Sequence, residues 1–232
     1  MKLLLTSNGI TSSELETSFE KLVNGRTNLK VAIIPTASDP IEWVLEEGGT
    51  SPYDDIAKLT KERDGFENWP LCLYYKNKGF DVIFVGLKED PQSIKEKLHN
   101  VDIIDVPGGD ANWLLDWAKK SGIGEYLKDL LDNDVIYVAS SAGNGLLMPD
   151  IGLTWWDKRW KADHIGFGIV DFVLCVHQNE KDLLKSKNNL IELKKNYQAE
   201  FLWKIYLVQD GQAIMVDGDT VEHIGPGAKE SI

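Results

Sequence analysis

Cysteine is scarce in this chain: its 232 residues include only Cys72 and Cys175, far apart and without Cys-x-x-Cys or zinc-like spacing to the four histidines. A disulfide framework and a structural zinc site are thereby excluded as organising devices. Positive charge is also short. Lys and Arg total 25 against 37 Asp and Glu, a formal net charge of −12 with a pI near 4.8. A phosphate-binding surface needs clustered cations, so no nucleic-acid partner is expected. The Lys-rich piece from Lys185 to Lys195 is interleaved with Leu, Asn and Glu and reads as a solvated helix face. Long apolar runs are missing too. Met1-Lys-Leu-Leu-Leu-Thr-Ser7 is too short for a signal peptide and no window approaches a membrane span, so no membrane partner is expected and the cytoplasm is the expected compartment. Finally, there is neither a Gly-x-Gly-x-x-Gly run nor a Walker lysine, which argues against a nucleotide loop at Gly108-Gly109-Asp110.

What is present is ordinary globular material, 43% hydrophobic and 27% charged. The length suits one large α/β domain or two small ones. The most informative stretch is Val135-Ile-Tyr-Val-Ala-Ser-Ser-Ala-Gly-Asn-Gly145. A run of β-formers breaks into small residues, which is how a strand presents a hydroxyl on a sharp turn. Ala139, Ala142 and Gly143 leave room for such a turn around Ser141, and the N–H of Ala142 at a helix start could face a developing oxyanion. Only the Ser-x-Gly half of the nucleophile-elbow pattern is met, because Ala139 stands where Gly is usual.

The rest of the chain gives that serine a context. Lys2 to Thr6 and Leu29 to Ile34 are expected strands, with a helix between them opened by a capping box from Thr11 to Glu14. Asp39 to Trp69 is expected to be a long excursion, with a helix from Asp54 to Glu62. Helical spacing at Leu71, Tyr74 and Tyr75 stops at Gly79, and strands follow at Phe80 to Val85 and Val101 to Val106, with a helix from Ser93 to Leu98 between them. Trp113 to Ala118 and Tyr126 to Leu131 are expected helices, Leu146 to Leu153 helical or irregular, Asp171 to Val176 a strand closing at His177, and Leu183 to Tyr197 a helix. Strands at Ile205 to Val208, Ala213 to Val216 and Thr220 to Ile224, divided by Asp210-Gly211 and Asp217-Gly218, end the chain as an antiparallel meander.

Alternating strands and helices up to about Val176 imply an α/β fold with a mostly parallel sheet flanked by helices. Ligands bind such sheets outside the strands' carboxyl ends. Gly108-Gly109, Ser141 and His177 each follow a strand, so one sheet edge is expected to gather a nucleophile, a base and an oxyanion donor. Gly109, without a β-carbon, lets its N–H approach a substrate oxygen, and Ala142 supplies a second donor.

These pieces resemble the serine peptidase family of dipeptidase E (α-aspartyl dipeptidase) and cyanophycinase. The resemblance covers most of the chain and rests on Leu3-Leu-Leu-Thr-Ser-Asn-Gly9, Val31 to Ala37, Val101 to Asp110, Ser141-Ala-Gly143, Gly166 to Phe172 leading to His177, and Asp210-Gly-Gln-Ala213 with Val216-Asp-Gly218. It implies a fold similar to class I glutamine amidotransferases, flavodoxin-like, over a single domain from residue 1 to 232. It also implies Ser141 as nucleophile, His177 as base, Gly109 and Ala142 as oxyanion donors, and cleavage of short peptides or isopeptides without metal or cofactor. Asp157 lies near the family's acid, with Asp150 and Asp163 as rivals. Asn144, Asp110 and Val176 depart from the family's usual residues, which bears on substrate choice more than on fold. Asp110, Asn144, Trp155 and Trp156 are the expected substrate contacts. The Trp155, Trp156 and Trp160 loop, with Lys158 and Arg159 beside it, suits an apolar or sugar-like group, internal packing or a homodimer interface.

The expected activity is therefore a serine peptidase-like hydrolase acting on a small peptide through an acyl-enzyme on Ser141. A non-catalytic binding relative and an esterase or amidase are the alternatives, separated by serine reactivity and by a substrate panel.

Overall fold

A computed structural model describes residues 1–38, 69–152, 164–179, 187–192, 195 and 203–232. The first strand, β1 (Lys2–Thr6), is buried along nearly its whole length. Its unbroken Leu3-Leu-Leu5 run suits a strand covered on both faces: Leu3 and Leu5 join one hydrophobic cluster and Leu4 the other. Helix α1 (Ser13–Val23) buries Leu15, Phe19, Leu22 and Val23, each such side chain contributing roughly 1.5–3 kcal/mol by leaving water. Its cap falls one residue later than the expected box. Ser12 Oγ accepts from the Leu15 N–H at 3.3 Å, while Thr11 Oγ1 donates to Asn8 Oδ1 at 3.1 Å.

The chain continues through β2 (Lys30–Ile33), a 3-10 turn at Pro35–Ser38, α2 (Pro70–Asn77), β3 (Asp81–Phe84), α3 (Pro91–Leu98) and β4 (Ile103–Val106). Next come α4 (Ala111–Ser121), α5 (Leu127–Asp132) and β5 (Ile136–Ser140). The expected excursion and its helix at 54–62 fall outside the described residues. The last strands are β6 (Phe172–Gln178), β7 (Lys204–Gln209), β8 (Ala213–Asp217), β9 (Thr220–Ile224) and β10 (Glu230–Ser231).

The main sheet has the order β3-β2-β4-β5-β1-β8-β9, parallel from β3 to β1 and antiparallel at β8 and β9. The strand order reverses at β2 and β4, and their carboxyl ends lie side by side. There the Asp110 N–H donates to the Ala37 carbonyl at 2.9 Å, and Ser38 Oγ donates to the Gly108 carbonyl at 2.8 Å. This is the crevice where an α/β sheet binds ligands.

Two pairings differ from the expectation drawn from sequence alone. First, β6 does not extend the main sheet; β8 takes the place beside β1, and β6 joins β7 and β10 in a second sheet of order β10-β7-β6. Second, only half of the expected meander forms: β8 pairs antiparallel with β9 in the main sheet, whereas β7, instead of pairing with β8, lies parallel to β6 and antiparallel to β10 in the second sheet. The Asp210-Gly211 turn therefore carries the chain from one sheet to the other. Gln212, fully buried, pins it by accepting from the Gln209 N–H and donating to the carbonyls of Pro226 and Ala228.

Cys72 and Cys175 are buried in different clusters on opposite faces of the sheet. On β4, Asp105 is buried and accepts from Tyr75 Oη at 2.5 Å. Burial pushes its carboxyl up to about 7, against the lowering effect of the Tyr75 hydrogen bond. Among the described residues no helix is long and apolar enough to cross a membrane.

Candidate active site

Strand β5 ends in an extended Ser140, and Ser141 turns abruptly into the left-handed region at φ 49°. That region is costly for a residue with a side chain and is found where surrounding structure enforces it. The enforcement here is visible. The chain after Ser141 forms a 3-10 turn, Ser141–Leu146, and the Tyr137 hydroxyl donates to the Gly143 carbonyl at 2.8 Å beneath it. Ala142, second in that turn, is where a helix start leaves N–H groups without helical partners.

The loop after β4 lies directly against this turn. A β-carbon on Gly108 would come within 3.1 Å of Ser141 Cβ. Gly109 adopts φ 147°, and a β-carbon there would lie 1.9 Å from the Ala37 carbonyl oxygen. Gly109 is thus required by close approach of backbone and by its φ, while at Gly108 the fit against the Ser141 side chain is tight. Asp110 then caps α4, its Oδ1 accepting from the Trp113 N–H at 2.6 Å.

His177 arrives from the second sheet. The register of β6 against β7 shifts between Cys175 and Gln178, and His177 itself has φ 57°. A bulge of this kind re-aims a side chain. His177 Nε2 lies 2.9 Å from Ser141 Oγ, and Nδ1 lies 2.9 Å from Asp210 Oδ1. An ionised carboxylate only accepts, so Nδ1 carries the proton and the Nε2 lone pair faces the serine hydroxyl. The His177 and Asp210 side chains are 50% and 56% exposed, so this pairing matters for orientation rather than stability. Ser7, at the end of β1, joins both: its hydroxyl donates to Asp210 Oδ1 at 2.7 Å and accepts from the His177 N–H at 2.8 Å.

Of the residues singled out from sequence, Ser141, His177, Gly109 and Ala142 are brought together at one edge. Asp110 is nearby but its carboxylate is engaged as a cap. Asn144 is fully buried and donates to the Thr6 carbonyl at 2.9 Å, fastening the end of β1 to the serine turn. Asp157, Trp155, Trp156 and Asp163 lie outside the described residues. Asp150 is buried and accepts from the Gly152 N–H at 2.7 Å; the acid that meets His177 is Asp210. The sequence pattern singles out neither Asp210 nor Ser7 as a site residue. Asp210, followed by Gly211, reads as a hairpin-turn residue, and the signal for both is that they lie in segments that carry the family resemblance. Among the described residues, no three His, Cys, Asp or Glu side chains are grouped to hold a metal.

Comparison with known proteins identifies the family. The sequence model of peptidase family S51 matches residues 72–224, the span that holds the glycine loop, Ser141, His177 and Asp210. The chain belongs to peptidase family S51. As a member of that family it is a serine-type peptidase, a hydrolase of the dipeptidase E kind. It is 26% identical over 227 residues to an uncharacterized peptidase of Listeria monocytogenes, covering 94% of this chain and 96% of that one. An uncharacterized peptidase of Listeria innocua is 25% identical over 224 residues, covering 94% of both. The fold is similar to that of a Listeria monocytogenes protein assigned as a peptidase E, with a TM-score of 0.66 at 22% identity over 97% of this chain and 98% of the other. A peptidase from an acI-B1 actinobacterium has a TM-score of 0.61 at 15% identity, covering 100% of this chain and 93% of that one.

Proposed function

We propose that this S51 peptidase cleaves a small peptide or isopeptide through an acyl-enzyme on Ser141. The observation that carries the reading is the unbroken relay from Ser141 Oγ to His177 Nε2 and from His177 Nδ1 to Asp210 Oδ1, each step 2.9 Å. Ser141 Oγ attacks the carbonyl carbon as its proton passes to Nε2, and the oxyanion that forms is met by the N–H groups of Gly109 and Ala142. His177 then gives that proton to the leaving amine, and water repeats the sequence to free the acid. Asp210 keeps the imidazole in the needed tautomer and stabilises its cation. The departures at Asp110 and Asn144 act through backbone placement, since both side chains are engaged within the protein.

Intact-protein mass after fluorophosphonate treatment tests the reading. A single adduct on the native chain that disappears in Ser141→Ala is the expected result; a folded native chain that takes no adduct overturns it. Dipeptide, isopeptide and ester panels then distinguish a peptidase from an esterase.

A further inference from the structure

The Asp210 carboxylate and the His177 imidazole are each about half exposed, so water competes for every hydrogen bond between them. Something less mobile has to hold them in register. Ser7 is fully buried, and its hydroxyl contacts both partners at once. The single hydroxyl proton goes to Asp210 Oδ1, the same oxygen that meets His177 Nδ1. A lone pair of Ser7 Oγ takes the backbone N–H of His177, a residue held in the left-handed region.

The post on which Ser7 stands is itself fixed. The Thr6 carbonyl accepts from Asn144 Nδ2 at 2.9 Å, and Thr6 Oγ1 donates to the Ala139 carbonyl at 2.8 Å. The Ser7 N–H donates to the Gln212 carbonyl at 3.0 Å. Ser7 is therefore tied to the serine turn on one side and to the Asp210 turn on the other. Most side-chain hydroxyls bond to backbone or water; this one donates its only proton to the acid of the relay.

We propose that Ser7 is a positioning residue, one hydroxyl that sets the Asp210 carboxylate against His177 Nδ1 while holding the strained His177 backbone. The proposal rests on the reading that Ser141, His177 and Asp210 act together. Losing such a support displaces reacting groups by a fraction of an ångström to an ångström, which costs about 10- to 100-fold in rate.

The experiment compares the full-length native chain with Ser7→Ala, Ser7→Thr and Ser7→Cys in two measurements. One is the second-order rate of fluorophosphonate labelling of Ser141 across pH 5 to 9. The other is the long-range proton–nitrogen NMR spectrum of the His177 ring, which reports its tautomer whether or not the enzyme turns over. Expected are a roughly 10- to 100-fold slower Ser7→Ala with an altered pH profile, loss of the uniform Nδ1–H tautomer, and recovery of both in Ser7→Thr. Should Ser7→Ala not fold, Ser7→Cys keeps the shape with a poor donor and is expected to show the same two changes. A native labelling rate and native tautomer in a folded Ser7→Ala or Ser7→Cys chain overturns the positioning role. A native chain that resists labelling overturns the hydrolase reading instead, and the NMR comparison still decides on Ser7.

Discussion

Gly143 packs against the Val106 carbonyl so closely that a β-carbon on it would lie 1.8 Å from that oxygen. The end of β4 and the serine turn are thereby in backbone contact, which brings the Gly108-Gly109 loop over Ser141. Gly143→Ala must push the two segments apart. It is expected to destabilise the fold by about 1–3 kcal/mol in urea titration, and to slow labelling of Ser141 by more than that loss of folded protein explains. A variant with native stability and native labelling would show that the contact is dispensable.

The acid on His177 is the residue on which the described structure and the sequence pattern point to different places. Asp210→Asn is expected to keep the fold, since the pair is half exposed, and to slow serine labelling by about 10³- to 10⁴-fold through the wrong histidine tautomer. Asp157→Asn, measured beside it, is expected to leave the rate within a few-fold of native. The reverse ranking of the two variants would move the acid's role from Asp210 to Asp157.

Buried Asp105 makes stability depend on pH. Its folded value of about 7 lies above the ordinary 3.8, so between those values the folded chain holds a proton that the unfolded chain has released. Its contribution is full below about pH 4, is lost as pH rises toward 7 and is level above, with a total on the order of 4 kcal/mol. His223 works in the opposite direction. Burial first, then Lys229 and Lys204, lowers it from 6.5 to about 4, so its contribution is present above 6.5 and lost as pH falls toward 4. Asp105→Asn keeps an acceptor for Tyr75 and removes one of the two titrations. Urea unfolding at several pH values is expected to show the variant gaining on the native chain from pH 4 to 7, and falling more steeply on acidification. Parallel curves for the two proteins would mean that Asp105 is ionised in the fold.

Local pattern was enough for most of the framework. Leu3 to Leu5 and Val31 to Ile33 lie in buried strands because continuous apolar runs suit a doubly covered sheet, and Ile103 to Val106 follows the same pattern apart from buried Asp105. Ser141 and Gly109 were legible for a similar reason: a strained turn and a close backbone approach tolerate few residue types, and those types are visible in a single chain. The caps show where local reading slips, since Thr11 and Ser12 both have hydroxyls and only the geometry selects Ser12.

The order of amino acids by itself determined the parallel α/β framework and the serine turn, because each depends on neighbours a few residues apart; His177, expected just after a strand, lies within β6 at its register shift. Tertiary structure decided which sheet β6 joins, that the Asp210 turn changes sheets instead of closing a hairpin, and that Ser7, 203 residues away from Asp210, shares a hydrogen bond with it. Those outcomes turn on β8 taking the place beside β1. Strand pairing of that kind is a competition among distant segments for one sheet edge, and no local pattern records its result.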